Sequence, residues 1–289
     1  MPDRKTLLCA GFGYSARALA PRLLARGWRV IGTHRDADAA EAIEAMGVEA
    51  AAWPPNGALV GEATHLLISA APGEAGDPTI AALGDAIRAH APQFEWVGYL
   101  STTGVYGDRL GDWVDEQSEL RPSTRRGELR VRAEAEWSAL NLPLHIFRLA
   151  GIYGPGRGPF AKVRSGKARR IVKRGQVFSR IHREDIARCL LASIERPNPG
   201  AIYNLCDDFA APPQQVIEFA AKLLGVPPPP EEPIETAEMS DMARSFYAES
   251  KRVSNERIKR ELGVALAYPS FEEGLRAVLA EEEAEAEAT

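Results

Sequence analysis

The sequence predicts an α/β fold: a doubly wound parallel sheet with a smaller, discontinuous C-terminal lobe. Three observations predict it. Short apolar runs alternate with amphipathic stretches through residues 1–150. A glycine-rich turn joins the first run to the first amphipathic stretch. The second run ends on polar and basic residues, where such a sheet selects a ligand.

Leu7-Leu8-Cys9-Ala10 is a short apolar strand, and Gly11-Phe12-Gly13-Tyr14-Ser15-Ala16 follows at once. Ala16 to Arg26 is amphipathic and closes at Gly27, so it reads as a helix. Trp28-Arg29-Val30-Ile31-Gly32-Thr33 is the second strand. This is the G-x-G-x-x-G/A fingerprint of a Rossmann-type dinucleotide site in its proper context. Gly11 permits the tight turn. Gly13 lacks a Cβ, so a pyrophosphate can approach the backbone. Ala16 lets helix and strand pack closely. The helix start at Tyr14 and Ser15 offers unpaired N–H groups and a positive dipole end.

The end of the second strand selects the cofactor. An acidic side chain there accepts the ribose 2′-OH of NAD. This chain has Thr33, His34 and Arg35 instead. A guanidinium suits a 2′-phosphate, and the Thr33 hydroxyl can donate to it. NADP is therefore favoured over NAD. Asp36 keeps two readings: the ribose acceptor of an NAD site, or a cap for a helix beginning near Ala37.

The alternation continues. Val48 to Trp53 is a third strand, and His65 to Pro72 is a buried strand ending in the small residues Ser69, Ala70 and Ala71. Pro78 to Ala91 reads as a helix, Trp96 to Ser101 as a strand, Ser123 to Leu140 as a long polar helix, and Leu144 to Leu149 as a strand. Residues 1–150 thus form the dinucleotide-binding unit. Residues 151–289 are mixed. About 178–206 returns to the sheet, through a helix within Ile181 to Glu195 and a strand at Ala201 to Leu205. Pro212 to Leu224 is amphipathic, Pro227 to Pro230 is a stiff turn, and the remainder reads as helical. This remainder forms a substrate lobe over the carboxyl ends of the strands.

Composition narrows the partners. A formal net charge of −5 gives no basic field for nucleic acid. The basic residues between Arg121 and Arg132 are interrupted by acids and read as a local site. Cys9, Cys189 and Cys206 have no metal-ligand spacing, and an odd, low count fits a reducing cytoplasm. They read as small buried hydrophobes. Met1 to Thr6 lacks an apolar signal region, and no run is long enough to span a membrane. Glu281 to Thr289 reads as a solvated, fraying helix end. The expected partner is a small molecule, with no metal, nucleic acid or membrane. The sequence carries no signal for oligomeric state.

Ser101-Thr102-Thr103-Gly104-Val105-Tyr106-Gly107 closes a central strand. With the glycine turn before it and Arg148…Tyr153-Gly154-Pro155-Gly156 behind it, the chain resembles the extended short-chain dehydrogenase/reductase family. That family includes the NAD-dependent epimerases and dehydratases of nucleotide sugars. Ile181 to Ala187 looks like its His-x-x-Asp segment, Tyr203-Asn204-Leu205 like its late strand, and Lys251 to Asn255 with Lys259 to Gly263 like its C-terminal stretch. Ser69, Ala70 and Ala71 match its segment beneath adenine and ribose. The glycine turn departs from the family's wider glycine spacing.

The resemblance implies catalysis by a Ser/Thr, a Tyr and a Lys. Thr102 matches the Ser/Thr position. The Tyr-x-x-x-Lys segment falls on Pro122 to Arg130, with Glu134 four residues further on. There the Tyr position is Arg126 and the Lys position is Arg130. Arginine holds its proton near neutral pH, so Arg126 is no general acid or base. Tyr106 is a candidate substitute acid. Arg126 and Arg130 share a helix face at i and i+4, where like charges repel. Glu134, a bound phosphate or a substrate carboxylate would compensate them. Asp185 is expected to cap a helix, His182 to be structural, and Arg148 to pair with an acid.

The resulting expectation is an NADP-binding reductase/epimerase-like protein with an altered acid/base apparatus, holding a small or nucleotide-linked anionic substrate. The alternative is a non-enzymatic NADP(H) sensor. An ordinary nucleotide-sugar epimerase is disfavoured by the missing Tyr and Lys.

Overall fold

A computed structural model describes residues 5–287. Its centre is a sheet of seven strands: β1 (Thr6–Ala10), β2 (Arg29–His34), β3 (Glu49–Ala52), β4 (His65–Ile68), β5 (Trp96–Thr102), β6 (Leu144–Leu149) and β7 (Ile202–Leu205). All pairings are parallel, in the order β7-β6-β5-β4-β1-β2-β3. Leu8 of β1 sits between Ile31 of β2 and Leu66 of β4. The order reverses between β1 and β4, which opens a crevice beyond their carboxyl ends, beside the glycine turn.

The strands read as continuous apolar runs because both faces of the sheet are covered. β1, β4 and β6 are buried along their whole length. Alternate side chains feed two cores. Leu7 and Cys9 join Leu19, Leu23, Trp96 and Phe147 on one face. Leu8 joins Leu66, Val97, Tyr99 and Trp137 on the other. Burial of apolar area at about 25 cal/mol per Å² is the main drive for this layering. Cys9, Cys189 and Cys206 are free and buried, and burial pushes the Cys9 thiol up to about 12.

Helix starts follow local chemistry. Asp77 caps the Pro78–Ala89 helix by accepting the Thr79 and Ile80 N–H groups at 2.8 and 3.2 Å. Thr124 caps the Arg125–Ser138 helix by accepting the Gly127 N–H at 3.2 Å. Glu128, in its first turn, suits the positive dipole end.

The C-terminal part differs from the sequence expectation in two ways. Of residues 178–206, only β7 joins the central sheet, while Arg180–His182 pairs with Gly151–Tyr153 in a separate ribbon. The remainder is not purely helical. Glu231–Pro233, just beyond the proline turn, pairs with Arg170–Val172, and Arg252–Val253 pairs with Trp113–Val114. Helices Pro213–Leu223, Glu256–Leu262 and Phe271–Glu287 complete it, with the short Asp241–Tyr247 helix beside the cleft. Phe160, Ala220, Phe271 and Leu275 form its own core. Residues 1–4, which carry most of the expected leaderless terminus, and residues 288–289 of the expected helix end lie outside the described residues.

Candidate functional site

The glycine turn is built from both neighbouring strands. Gly11 has φ +89°, and a Cβ there would meet Ser69 Oγ at 2.9 Å and Ala70 N at 3.2 Å. Glycine is therefore demanded by backbone conformation and by the close approach of β4's end. Ser69 donates its hydroxyl to Gly11 O. Thr33 Oγ1 accepts the Gly11 N–H at 2.7 Å and donates to Cys9 O at 3.1 Å. This corrects the expectation that Thr33 donates to a 2′-phosphate. Its hydroxyl proton is spent and its side chain is buried, so Thr33 braces the turn from below.

Gly13 caps the Tyr14–Leu24 helix without a side-chain bond, and a Cβ there would meet nothing within 4 Å. The space above the helix N-terminus is open to an anion, which fits the pyrophosphate of a dinucleotide. Gly13, Tyr14 and Ser15 line the cleft, as do Ser69 and Ala71. Gly11, Ala16 and Ala70 stand behind this wall. Ala16 packs in the core, and the Ala70 N–H donates to Ala10 O at 3.1 Å.

Arg35 is exposed just past the end of β2 and makes no ion pair among the described residues. Asp36 Oδ1 accepts the Asp38 N–H at 3.1 Å, at the start of the Asp38–Glu44 helix. Of its two readings, the structure shows the local turn that starts the helix.

The cleft has a volume of about 1050 Å³. One wall is the end of β5 and the Arg125–Ser138 helix, carrying Thr102, Arg126 and Arg130. Thr102 is half-buried, and its Oγ1 accepts the Gly104 N–H at 3.1 Å. Arg130 Nη1 donates to Leu100 O at 2.6 Å and to the Tyr99 hydroxyl at 3.1 Å. Arg126 is exposed, its guanidinium carbon 5.3 Å from the centre of the Phe246 ring. Neither arginine forms an ion pair with a carboxylate among the described residues. Both face the cleft, as their i and i+4 spacing requires.

Two expectations at the floor are corrected. Tyr106 is fully buried and does not line the cleft. Its hydroxyl donates to Asn204 Oδ1 at 2.7 Å and accepts from Arg148 Nη1 at 2.9 Å. Burial pushes its pKa up to about 12, so it is no substitute acid. Glu134 does not compensate Arg130. It pairs with Arg148 at 2.8 Å, with both side chains buried, and its Oε1 accepts the Ser101 hydroxyl at 2.5 Å. A buried guanidinium on β6 has the stronger claim on a buried carboxylate. Arg148 thus pairs with an acid, as expected.

His182 is structural, as expected, but it makes the helix cap expected of Asp185. His182 Nδ1 accepts the Glu184 N–H at 3.2 Å and caps the Arg183–Glu195 helix. Burial depresses its pKa to about 4, so the ring is neutral. Asp185 accepts the Ala267 and Tyr268 N–H groups at 2.7 and 3.0 Å, clipping the loop before the last helix.

The opposite wall comes from the C-terminal part. Lys251 is buried there, donating to Gly107 O at 2.8 Å and Glu249 Oε2 at 2.6 Å. Arg157, Arg169 and Arg180 also line the cleft. With Arg126, Arg130 and Lys251 they make six cations on the lining; Lys251 pairs with Glu249, the one carboxylate among the described lining residues, and Arg169 pairs with Glu232. Lys251 and Arg157 were missed as site residues. Lys251 lies far along the chain, and its only sequence signal was a resemblance to a C-terminal family stretch. Among the described residues no cluster of three or more His, Cys, Asp or Glu could hold a metal ion. Among the described residues no helix is long and apolar enough to cross a membrane.

No protein-family profile matches the chain. It is 30% identical over 284 residues to protein YeeZ of Escherichia coli K12, covering 92% of this chain and 97% of that protein. A conserved protein of unknown function from Silicibacter pomeroyi has a solved structure that is 58% identical. That match covers 96% of this chain and 99% of the other, with a TM-score of 0.93. Two more distant structures share the fold alone. dTDP-glucose 4,6-dehydratase of Bacillus anthracis, in complex with NAD, is 17% identical, with 97% of each chain covered and a TM-score of 0.76. The human epimerase family protein SDR39U1, with NADPH, is 18% identical, with 96% and 99% covered and a TM-score of 0.73.

Proposed function

We propose that the chain is an NADP(H)-dependent oxidoreductase of the extended short-chain dehydrogenase/reductase, epimerase/dehydratase type, acting on an anionic carbonyl compound, a reading supported by the fold it shares with such proteins. One observation carries the reading. Arg126 and Arg130 stand on the cleft wall at the family's Tyr and Lys positions, with no carboxylate paired to them among the described residues. They cannot exchange a proton near neutral pH, but their charge and forked donors suit a phosphate or carboxylate.

Gly13 at the helix N-terminus would hold the cofactor's pyrophosphate, and Ser69 and Ala71 would border its adenosine side. Arg35, exposed beyond β2 without an ion pair among the described residues, would hold the 2′-phosphate and so select NADP over NAD. When bound, the nicotinamide supplies or takes the hydride. Thr102 orients the carbonyl oxygen. Arg126 and Arg130 hold the substrate's anionic group and stabilise charge developing beside it. The proton comes through solvent ordered by Thr102, since Tyr106 is sealed beneath the floor. Three buried thiols suit a reducing cytoplasm.

A second reading is favoured by one contact. Phe246, 53% exposed, packs on Arg126 from the short Asp241–Tyr247 helix. Cofactor or anion binding at Arg126 would alter that surface, as in a non-enzymatic NADP(H) sensor. Incubation with NADPH and a panel of phosphorylated or carboxylated aldehydes and ketones separates the two. Loss of NADPH absorbance with one of them supports the oxidoreductase. Tight NADPH binding without turnover of any supports the sensor.

A further inference from the structure

The turn from Gly154 to Arg157 is fastened to the start of the first helix. Gly154 and Arg157 exchange backbone hydrogen bonds of 3.1 and 2.9 Å. At the tip, Pro155 O accepts the Tyr14 hydroxyl at 2.9 Å. A Cβ at position 154 would lie 2.5 Å from that hydroxyl, so glycine is required for the hairpin to dock. Docking places the Arg157 guanidinium carbon 5.7 Å from the centre of the Tyr14 ring, on the cleft wall with Gly13 and Ser15.

Tyr14 is flanked by a second arginine, which serves as a contrast. Arg183 also lies on the Tyr14 ring, at 5.3 Å, but its charge is met by Glu281 at 2.8 Å. Arg157 forms no ion pair among the described residues, and it lines the cleft where Arg183 does not. The hairpin thus brings an uncompensated cation to the open space above Gly13. The helix N-terminus supplies only about half a charge and a few N–H donors. A dinucleotide pyrophosphate carries two negative charges.

We propose that Arg157 is a cofactor-binding residue that clamps the pyrophosphate from the lobe side, opposite the backbone of the Gly11–Ala16 turn. The assignment rests on the nicotinamide-dinucleotide reading above. It gives the hairpin a function: Tyr14, one residue beyond Gly13, holds the clamp in register with the anion seat. A planar guanidinium can bridge both phosphates with parallel donors, which an ammonium group cannot do.

Calorimetric titration of the unmodified protein, Arg157→Gln and Arg157→Lys tests it with three probes. NADPH and ADP-ribose contain the pyrophosphate, and 2′-AMP does not. Arg157→Gln is expected to weaken NADPH and ADP-ribose by about tenfold or more and leave 2′-AMP within about twofold, with Arg157→Lys between. Unchanged NADPH and ADP-ribose affinity in Arg157→Gln would overturn the assignment. So would an equal loss for all three probes, which marks a general disturbance. If the unmodified protein binds neither NADPH, NADH nor ADP-ribose, the cofactor reading itself fails and takes this assignment with it. Melting of the ligand-free proteins is the folding control, and little change is expected because Arg157 is exposed.

Discussion

Glu134 pairs with Arg148 on β6 at 2.8 Å and leaves Arg130, one turn earlier on its own helix, without a carboxylate. The buried pair holds the helix against the sheet. The unpaired arginines keep their charge for the cleft. Glu134→Gln would strand a buried guanidinium and should cost about 3–5 kcal/mol in urea unfolding. The double replacement Glu134→Gln with Arg148→Met should recover part of that loss. A loss below about 1 kcal/mol for Glu134→Gln would show that the pair is solvated in solution.

Arg126 and Arg130 should bind inorganic anions. Phosphate or sulfate is expected to raise the melting temperature beyond chloride at equal ionic strength, by linkage to the folded state. Arg126→Leu should reduce that shift with little effect on the ligand-free protein, because Arg126 is exposed. Arg130→Leu should reduce the shift and also lower stability, because Arg130 holds Leu100 O and the Tyr99 hydroxyl. Equal responses to chloride and phosphate would contradict an anion site.

The family's proton chemistry should be absent. The unmodified protein is expected to leave nucleotide sugars unchanged, while Arg126→Tyr with Arg130→Lys should gain weak, measurable NAD(P)H formation on them. Robust turnover by the unmodified protein, insensitive to substitution of Arg126, would place the catalytic helix elsewhere.

Asp207 sets a pH dependence. It is buried, and that burial raises its pKa from 3.8 to about 8, although the Arg180 charge and backbone hydrogen bonding at Arg180 and Phe209 pull the other way. The folded state therefore binds this proton more tightly than the unfolded state. That contribution is complete below about pH 4, falls as pH rises, and is gone above about pH 8. Asp207→Asn removes the dependence. Its melting temperature relative to the unmodified protein should rise from pH 4 to pH 8 and then level off. A difference independent of pH would show that Asp207 reaches solvent or a cation.

Much of this was legible in the sequence. Gly11, Gly13 and Ala16 fixed the first crossover, because few residues satisfy a tight turn, a close anion and a tight helix–strand contact together. The helical period put Arg126 and Arg130 on one face. Other features were hidden. Both faces of a parallel sheet are buried, so alternation could not tell that Thr33 turns inward to Gly11. Tyr106 closes a short 3-10 turn, Thr103–Tyr106, that carries it under the floor to Asn204. Glu134 had two arginines within reach, and only the tertiary fold brings Arg148 to it. Lys251 and Arg157 reach the cleft through pairings between distant segments that no local pattern encodes.

The central claim is an NADP(H) site built on the Gly11–Ala16 turn with Arg35 as its selector. Titration of NADPH and NADH against the unmodified protein and Arg35→Ala tests it most directly. NADPH should bind the unmodified protein at least about tenfold more tightly than NADH, and Arg35→Ala should erase that preference by weakening NADPH alone. Equal affinities in the unmodified protein, or a preference that survives Arg35→Ala, would contradict it.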